Sequence, residues 1–167
     1  MRTAALTQRV ALGAFTALAL AACTPSDPQP AGPPQVLSGD AVTKAARAAL
    51  AAAEAEGQHV TVSIVDRAGN ERLRLTGDGA GPQSGDSARG KAFTAAAWGK
   101  PTSELTDQVS GGGASLRDIP GTVFLGGGVP VIAGSPIAGI GVAGAPSEDL
   151  DEEFASAGLE AIEGDLG

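Results

Sequence analysis

The single histidine and the single cysteine of this 167-residue chain limit the chemistry that it can perform. Zinc sites use two or more histidine or cysteine ligands, so one His59 and one Cys23 exclude a two-histidine or multi-cysteine metal centre. One cysteine also excludes an intramolecular disulfide. His59 is therefore the only imidazole that can serve as a base or as a metal ligand. The simpler interpretation is a surface histidine at a strand edge, on the same face as Thr61 and Ser63.

No catalytic arrangement around His59 is apparent. Asp66 lies on the same predicted strand, more than about 20 Å away at about 3.3 Å per residue, and no nucleophile elbow is present. Paired carboxylates occur only at the start of the last predicted helix, where we interpret them as a solvated face: Glu148, Asp149, Asp151, Glu152 and Glu153.

A Gly-x-Gly-x-x-Gly pattern runs from Gly139 to Gly144. A dinucleotide site needs this pattern at a strand-to-helix turn, followed by a crossover, a second strand and an acidic ribose contact. Too little chain follows Gly144 for those elements. We therefore interpret these glycines as positions that allow a strand and a helix to pack closely.

The composition indicates one acidic domain of ordinary size. Eleven Lys and Arg against 19 Asp and Glu give a net charge of −8, which opposes binding to the phosphates of nucleic acid. The chain is 43% hydrophobic but only 3% aromatic, with 25 glycines. Its core must therefore consist of small side chains packed closely together.

The first 37 residues are predicted to lie outside the folded domain. Residues 1–22 combine Arg2 and Arg9 with an apolar run that is shorter than the roughly 20 residues of a membrane-spanning helix, which is typical of a signal peptide. The run ends in Leu20-Ala21-Ala22-Cys23 and resembles a bacterial lipobox. We therefore expect Cys23 to be lipidated. The proline-rich residues 23–37 would tether the domain to the outer face of a bacterial cell membrane, either plasma or outer.

The remaining residues, 38–164, predict an α+β domain. Capping residues and apolar spacing indicate helices after Ser38, near Asp86, after Thr102 and after Ser147. Alternating residues after His59 and a turn at 67–70 indicate a hairpin. Three further β segments are expected at Thr122–Leu125, Val129–Ala133 and Ile137–Ala143. The short turns favour antiparallel pairing, so we expect about five antiparallel strands packed with helices.

The order and spacing of several short motifs resemble the GlcG/HbpS family. The motifs cover most of the domain and stand in this order: Val62-Ser-Ile-Val-Asp66-x-x-Gly69, Asp78-Gly79-Ala80, Ala88-x-x-Lys91-Ala92-x-Thr94-Ala95, Gly127-Gly128-x-Pro130-Val131, Gly139 to Gly144, Glu148-Asp149-x-Asp151 and Ala157-Gly158-Leu159. Ala143 stands where the family usually has serine.

The resemblance implies a profilin-like fold, homo-oligomers and the binding of haem or a related tetrapyrrole. It also implies that Thr94, with Lys91 beside it, lines the binding pocket. We expect a membrane-anchored, extracytoplasmic haem-binding protein without catalytic chemistry of its own, in haem handling or redox sensing. The alternative is a small enzyme or enzyme accessory that acts on a small polar metabolite.

Two features would separate these hypotheses. Phe93, Trp98 or Phe124 in a pocket would favour a flat apolar ligand, whereas Asp66, Arg74 and Lys91 would favour a small anion.

Haem iron is usually held by His, Cys, Met or Tyr, and after cleavage and lipidation only His59 remains of these. Iron would therefore be ligated by His59, or by oxygen with Thr94 as the candidate that the resemblance suggests.

Overall fold

The computed structural model describes residues 35–106, 109 and 116–166, and its main elements are four α-helices and four strands. In chain order they are α1 (Gly39–Ala55), β1 (Thr61–Asp66), β2 (Glu71–Thr76), α2 (Ser84–Trp98), α3 (Thr102–Thr106), β3 (Gly128–Ala133), β4 (Ser135–Ala143) and α4 (Glu148–Glu160). The predicted signal peptide and Cys23 lie outside the described residues. Within them, no helix has the length and apolarity to cross a membrane.

Local signals set the ends of several elements as the sequence predicts. The Ser38 hydroxyl accepts a hydrogen bond from the amide of Ala41 at the start of α1, and the Ser147 hydroxyl accepts one from Leu150 at the start of α4. In the turn between β1 and β2, the Asp66 carboxylate accepts from the amides of Ala68 and Asn70. These bonds satisfy backbone donors that the ends of regular elements leave unpaired.

The four strands form one antiparallel sheet in the order β2-β1-β4-β3. Helices α1 and α4 pack together on one face, and α2 packs on the other. The core on the α1/α4 side combines valines and isoleucines of β1 and β4, such as Val62 and Ile140, with small residues of α1, such as Ala45. Leu37, at the end of the predicted tether, is buried in this core. The α+β architecture with an antiparallel sheet is confirmed.

The predicted number of five strands is wrong for the described residues, because Thr122–Leu125 does not form a strand. Side chains of other elements bind its backbone instead. The amide of Val123 donates to the Thr94 hydroxyl at 2.9 Å, and the carbonyl of Leu125 accepts from the Thr102 hydroxyl at 2.7 Å. With these groups occupied, the segment has no row of free donors and acceptors to pair with a strand.

Helix α2 lies against the backbone of β4, where Gly139 and Gly141 face it. A Cβ atom at Gly139 would collide with the carbonyl oxygen of Ala92, and one at Gly141 with the carbonyl oxygen of Ala88. The interpretation of these glycines as close-packing positions is therefore confirmed. This contact brings the polar residues of α2 close to the sheet.

Candidate functional site

A buried ion pair joins α2 to α4. Lys91 Nζ lies 2.7 Å from Asp151 Oδ2, and the two side chains are only 4% and 6% exposed. The second carboxylate oxygen of Asp151, Oδ1, accepts a hydrogen bond from the amide of Ala145 at 3.0 Å. Asp151 therefore connects the helix that carries Lys91 to the loop that follows β4.

Burial raises the pKa of the Asp151 carboxyl above its ordinary value, since the charged form loses contact with water. The hydrogen bond and the positive charge of Lys91, and the amides of Ala145 and Gly144, act in the opposite direction. These donors stabilise the charged carboxylate, but their effect on the pKa is smaller than the effect of burial.

A cavity of about 320 Å³ opens beside this ion pair. Its volume is at the lower end of the range found for small-molecule sites. Besides Lys91 and Asp151, its polar wall includes Gln83, Ser84, Ser87 and Glu148. Leu125, Ala143 and Pro146 supply apolar surface. The cavity therefore offers hydrogen-bonding groups next to a limited apolar area.

The rim of this cavity is fixed by carboxylates of α4. Glu148 Oε2 accepts from the amide of Gly126 at 2.7 Å, and Glu152 Oε2 accepts from the amide of Gly127 at 3.1 Å. Glu152 Oε1 also accepts from the hydroxyl of Ser103 at 2.6 Å. The segment before β3, including Leu125 at the cavity wall, is thus attached to both α3 and α4.

Thr94 lies one turn along α2 from Lys91 but is fully buried, with 0% exposure. Its hydroxyl donates to the carbonyl of Gly90 at 2.8 Å and accepts from the amide of Val123 at 2.9 Å. The bond from Val123 holds α2 against the segment before β3, whereas the bond to Gly90 lies within α2. Thr94 is not among the residues that line the cavity beside Lys91.

His59 lies in a different place, just before β1, where its side chain is exposed. Its Nδ1 is 2.7 Å from the carbonyl oxygen of Asp78. A carbonyl can only accept, so Nδ1 carries the proton, and the lone pair of the neutral ring resides on Nε2. A cavity of about 150 Å³ adjoins the ring, with Glu54, Gln58 and Asp78 among its lining residues. The structure therefore brings Lys91 and Thr94 close together on α2 but leaves His59 apart from them.

The aromatic residues that would favour a flat ligand are divided between two places. Phe93 lines a cavity of about 160 Å³ together with Asp66 and Arg67. Trp98 and Phe124 meet edge to face with ring centroids 5.3 Å apart, inside a small apolar cluster. None of these three aromatic residues lines the cavity beside Lys91, so they do not indicate a flat apolar ligand there.

The sequence interpretation missed Asp151, which it assigned to a solvated acidic face. Asp151 precedes Phe154 by three residues and Ala155 by four, so all three lie on the same side of α4. Both of those residues are buried. That spacing was the available signal that this carboxylate points inward.

The described residues contain no group of three or more His, Cys, Asp and Glu side chains arranged to hold a metal ion. An iron atom already held by a tetrapyrrole needs only an axial ligand from the protein. The Nε2 atom of His59 fits that requirement, because histidine ligands of metals almost always donate their other ring N–H to a carbonyl, a carboxylate or water.

The comparisons with known proteins define the class of this chain. A family model described as haem degrading protein HbpS-like matches residues 37–160. The chain therefore belongs to the HbpS-like family, and the resemblance noted in the sequence is confirmed.

Solved structures of relatives have the same fold. The crystal structure of HbpS is 54% identical, has a TM-score of 0.75 and covers 83% of this chain and 99% of its own. The crystal structure of the PduOC:heme complex is 32% identical, has a TM-score of 0.70 and covers 77% of this chain and 96% of its own. An uncharacterized 15.0 kDa protein of Citrobacter freundii, from the dhaT-dhaS intergenic region, is 37% identical over 113 residues, which cover 65% of this chain and 80% of that protein.

Proposed function

We propose that this protein binds haem and that His59 Nε2 is the axial ligand of the iron. The observation that carries the proposal is the hydrogen bond from His59 Nδ1 to the carbonyl of Asp78 at 2.7 Å. It orients the ring and leaves Nε2 without a hydrogen-bond partner among the described residues. Haem as the bound molecule is supported by membership of a family described as haem degrading and by likeness to a heme complex.

Thr94 is the weaker candidate for an axial ligand. Its hydroxyl already makes two hydrogen bonds within the fold, and its side chain is fully buried. An iron atom could reach it only after the segment at Val123 had separated from α2. His59 needs no such rearrangement, because its ring is exposed.

The cavity beside His59 holds about 150 Å³, which is below the usual size of a small-molecule site. Most of a haem ring bound there would remain outside this cavity. We therefore propose that a second copy of the chain covers the ring, as a homo-oligomer. Light scattering on the chain from residue 23 onward tests this: we expect an oligomer at tens of micromolar, and a monomer with and without hemin would contradict it.

A hemin titration followed by the Soret band tests His59 directly. The chain from residue 23 onward should bind hemin saturably, and His59→Ala should abolish the saturable change. Ser135→Ala is the control, since it removes a polar side chain at an exposed position outside this cavity and should bind as the wild type does. An unchanged titration for His59→Ala would remove this residue from the iron, and no saturable binding by the wild type would contradict haem binding itself.

We further propose that the protein is a lipoprotein held outside the cytoplasm. The run Leu20-Ala21-Ala22-Cys23 before a proline-rich segment supports this proposal. Cys23→Ser should release the protein from the membrane fraction or block processing, whereas Ser26→Ala in the adjacent segment should not. A Cys23→Ser protein that fractionates and migrates like the wild type would contradict the anchor.

A further inference from the structure

The ammonium group of Lys91 has more donors than the fold uses. It carries three N–H donors. Among the described residues, only one of these donors has a partner, which is the carboxylate of Asp151. The side chain is 4% exposed and lines the cavity of about 320 Å³ between α2 and α4. Leaving buried donors unpaired costs free energy, so these N–H bonds favour an acceptor inside the cavity.

We propose that this cavity binds a small uncharged molecule with several hydroxyl groups, at a site separate from the haem site at His59. The Lys91 N–H bonds would donate to hydroxyl oxygens of this ligand. Ser87 lines the same cavity and is half-buried. Its hydroxyl makes no hydrogen bond with the described residues, so it can both donate to the ligand and accept from it. A polyol matches this mixture of donors and acceptors.

The charges of the cavity wall argue against an ionic ligand. The carboxylate of Asp151 lies 2.7 Å from Lys91 and balances its charge. Glu148 adds a negative charge at the exposed rim, which opposes an anion. An amine would meet the ammonium of Lys91, and both oxygens of Asp151 are already occupied. The sequence analysis associated a small anion with a pocket lined by Asp66, Arg74 and Lys91. Of these three residues only Lys91 lines this cavity, and its surroundings favour a neutral ligand.

The experiment uses three probes of one carbon skeleton: sorbitol, its acid gluconate and its amine glucamine. Binding to the chain from residue 23 onward is followed by amide chemical shifts in NMR spectra, without hemin. We expect sorbitol to shift the amides of Ser87, Lys91 and Ala145 saturably. We expect gluconate and glucamine to bind at least about tenfold more weakly, which corresponds to about 1.4 kcal/mol.

Two matched variants test the location. Ser87→Leu fills the cavity and should raise the sorbitol dissociation constant at least about tenfold, while Ser135→Leu, the same change at an exposed position outside the cavity, should leave it unchanged. No saturable shift with sorbitol, tighter binding of gluconate or glucamine, or unaltered binding by Ser87→Leu would each overturn the proposal. The hemin titration of Ser87→Leu should match the wild type, so failure at one site can be distinguished from failure at the other.

Discussion

Lys91 and Asp151 are 60 residues apart in the chain, and their charged groups lie 2.7 Å apart in the interior. Lys91→Met should lower the free energy of unfolding by about 3–5 kcal/mol, because it leaves a buried carboxylate without its partner. Urea unfolding measures this. Lys44→Met is the control: its partner Asp165 is exposed, so the loss should be no more than about 1 kcal/mol. Equal losses in the two variants would show that the buried pair contributes no more than a surface pair.

Gly141→Ala should destabilise the protein by about 3 kcal/mol, because the added methyl group collides with the backbone of α2 at Ala88 and Ala92. Gly39→Ala is the control, since a Cβ there meets nothing within 4 Å. Thermal unfolding of both variants compares them. A Gly141→Ala protein as stable as Gly39→Ala would mean that α2 can move away from β4 at little cost.

Thr94→Val should lower the free energy of unfolding by about 1–3 kcal/mol, because the amide of Val123 loses its acceptor. Thr94→Ser keeps the hydroxyl and should lose much less. If the role of Thr94 is structural, the hemin Soret band should be the same in both variants under conditions in which each is folded. A Soret band altered by Thr94→Val alone would instead indicate that the hydroxyl contacts the ligand.

The stability contributed by Glu71 should depend on pH. Burial acts to raise the pKa of this carboxyl, but hydrogen bonds from Arg74 and Ser63 and the positive charge of Arg74 outweigh it and lower the pKa below 4.5. The folded state therefore gives up this proton more readily than the unfolded state. The stabilisation is present above about pH 4.5 and is lost as the pH falls through the lowered pKa.

Glu71→Gln removes this titration. The difference in unfolding free energy between wild type and Glu71→Gln should therefore shrink as the pH falls from 6 to 3. Glu160→Gln, at an exposed position of α4, should show no comparable trend. A wild-type advantage over Glu71→Gln that is constant or grows on acidification would contradict the assignment.

The sequence predicted those features that depend on neighbouring residues. Ser38 and Ser147 cap their helices, and the turn after Asp66 forms a hairpin, because each involves bonds within a few residues. The segment Thr122–Leu125 has the apolar pattern of a strand, but its backbone bonds go to Thr94 and Thr102, which are distant in the chain. No local pattern reveals that competition.

The candidate site was predictable only in part, for the same reason. Lys91 and Thr94 lie together on α2 as expected. The burial of Lys91, however, depends on Asp151, which belongs to α4, 60 residues further along the chain. Within the acidic run, the spacing of Asp151 to Phe154 and Ala155 indicates that its carboxylate points inward, but it does not reveal that Lys91 of α2 is the partner. The exposed ring of His59, in contrast, agrees with its interpretation as a surface residue.

Helix α2 is enclosed on two sides, by the glycines of β4 and by Val123, whose methyl group lies 2.5 Å from the place of a Cβ at Gly90. Alanine favours a helix, but α2 has only 15 residues and includes Gly85 and Gly90, so packing must supply most of its stability. Such a helix cannot open by itself without exposing both contacts. Its amide hydrogens should therefore exchange with deuterium only when the whole domain unfolds, which makes α2 part of the slowest-exchanging unit of the fold.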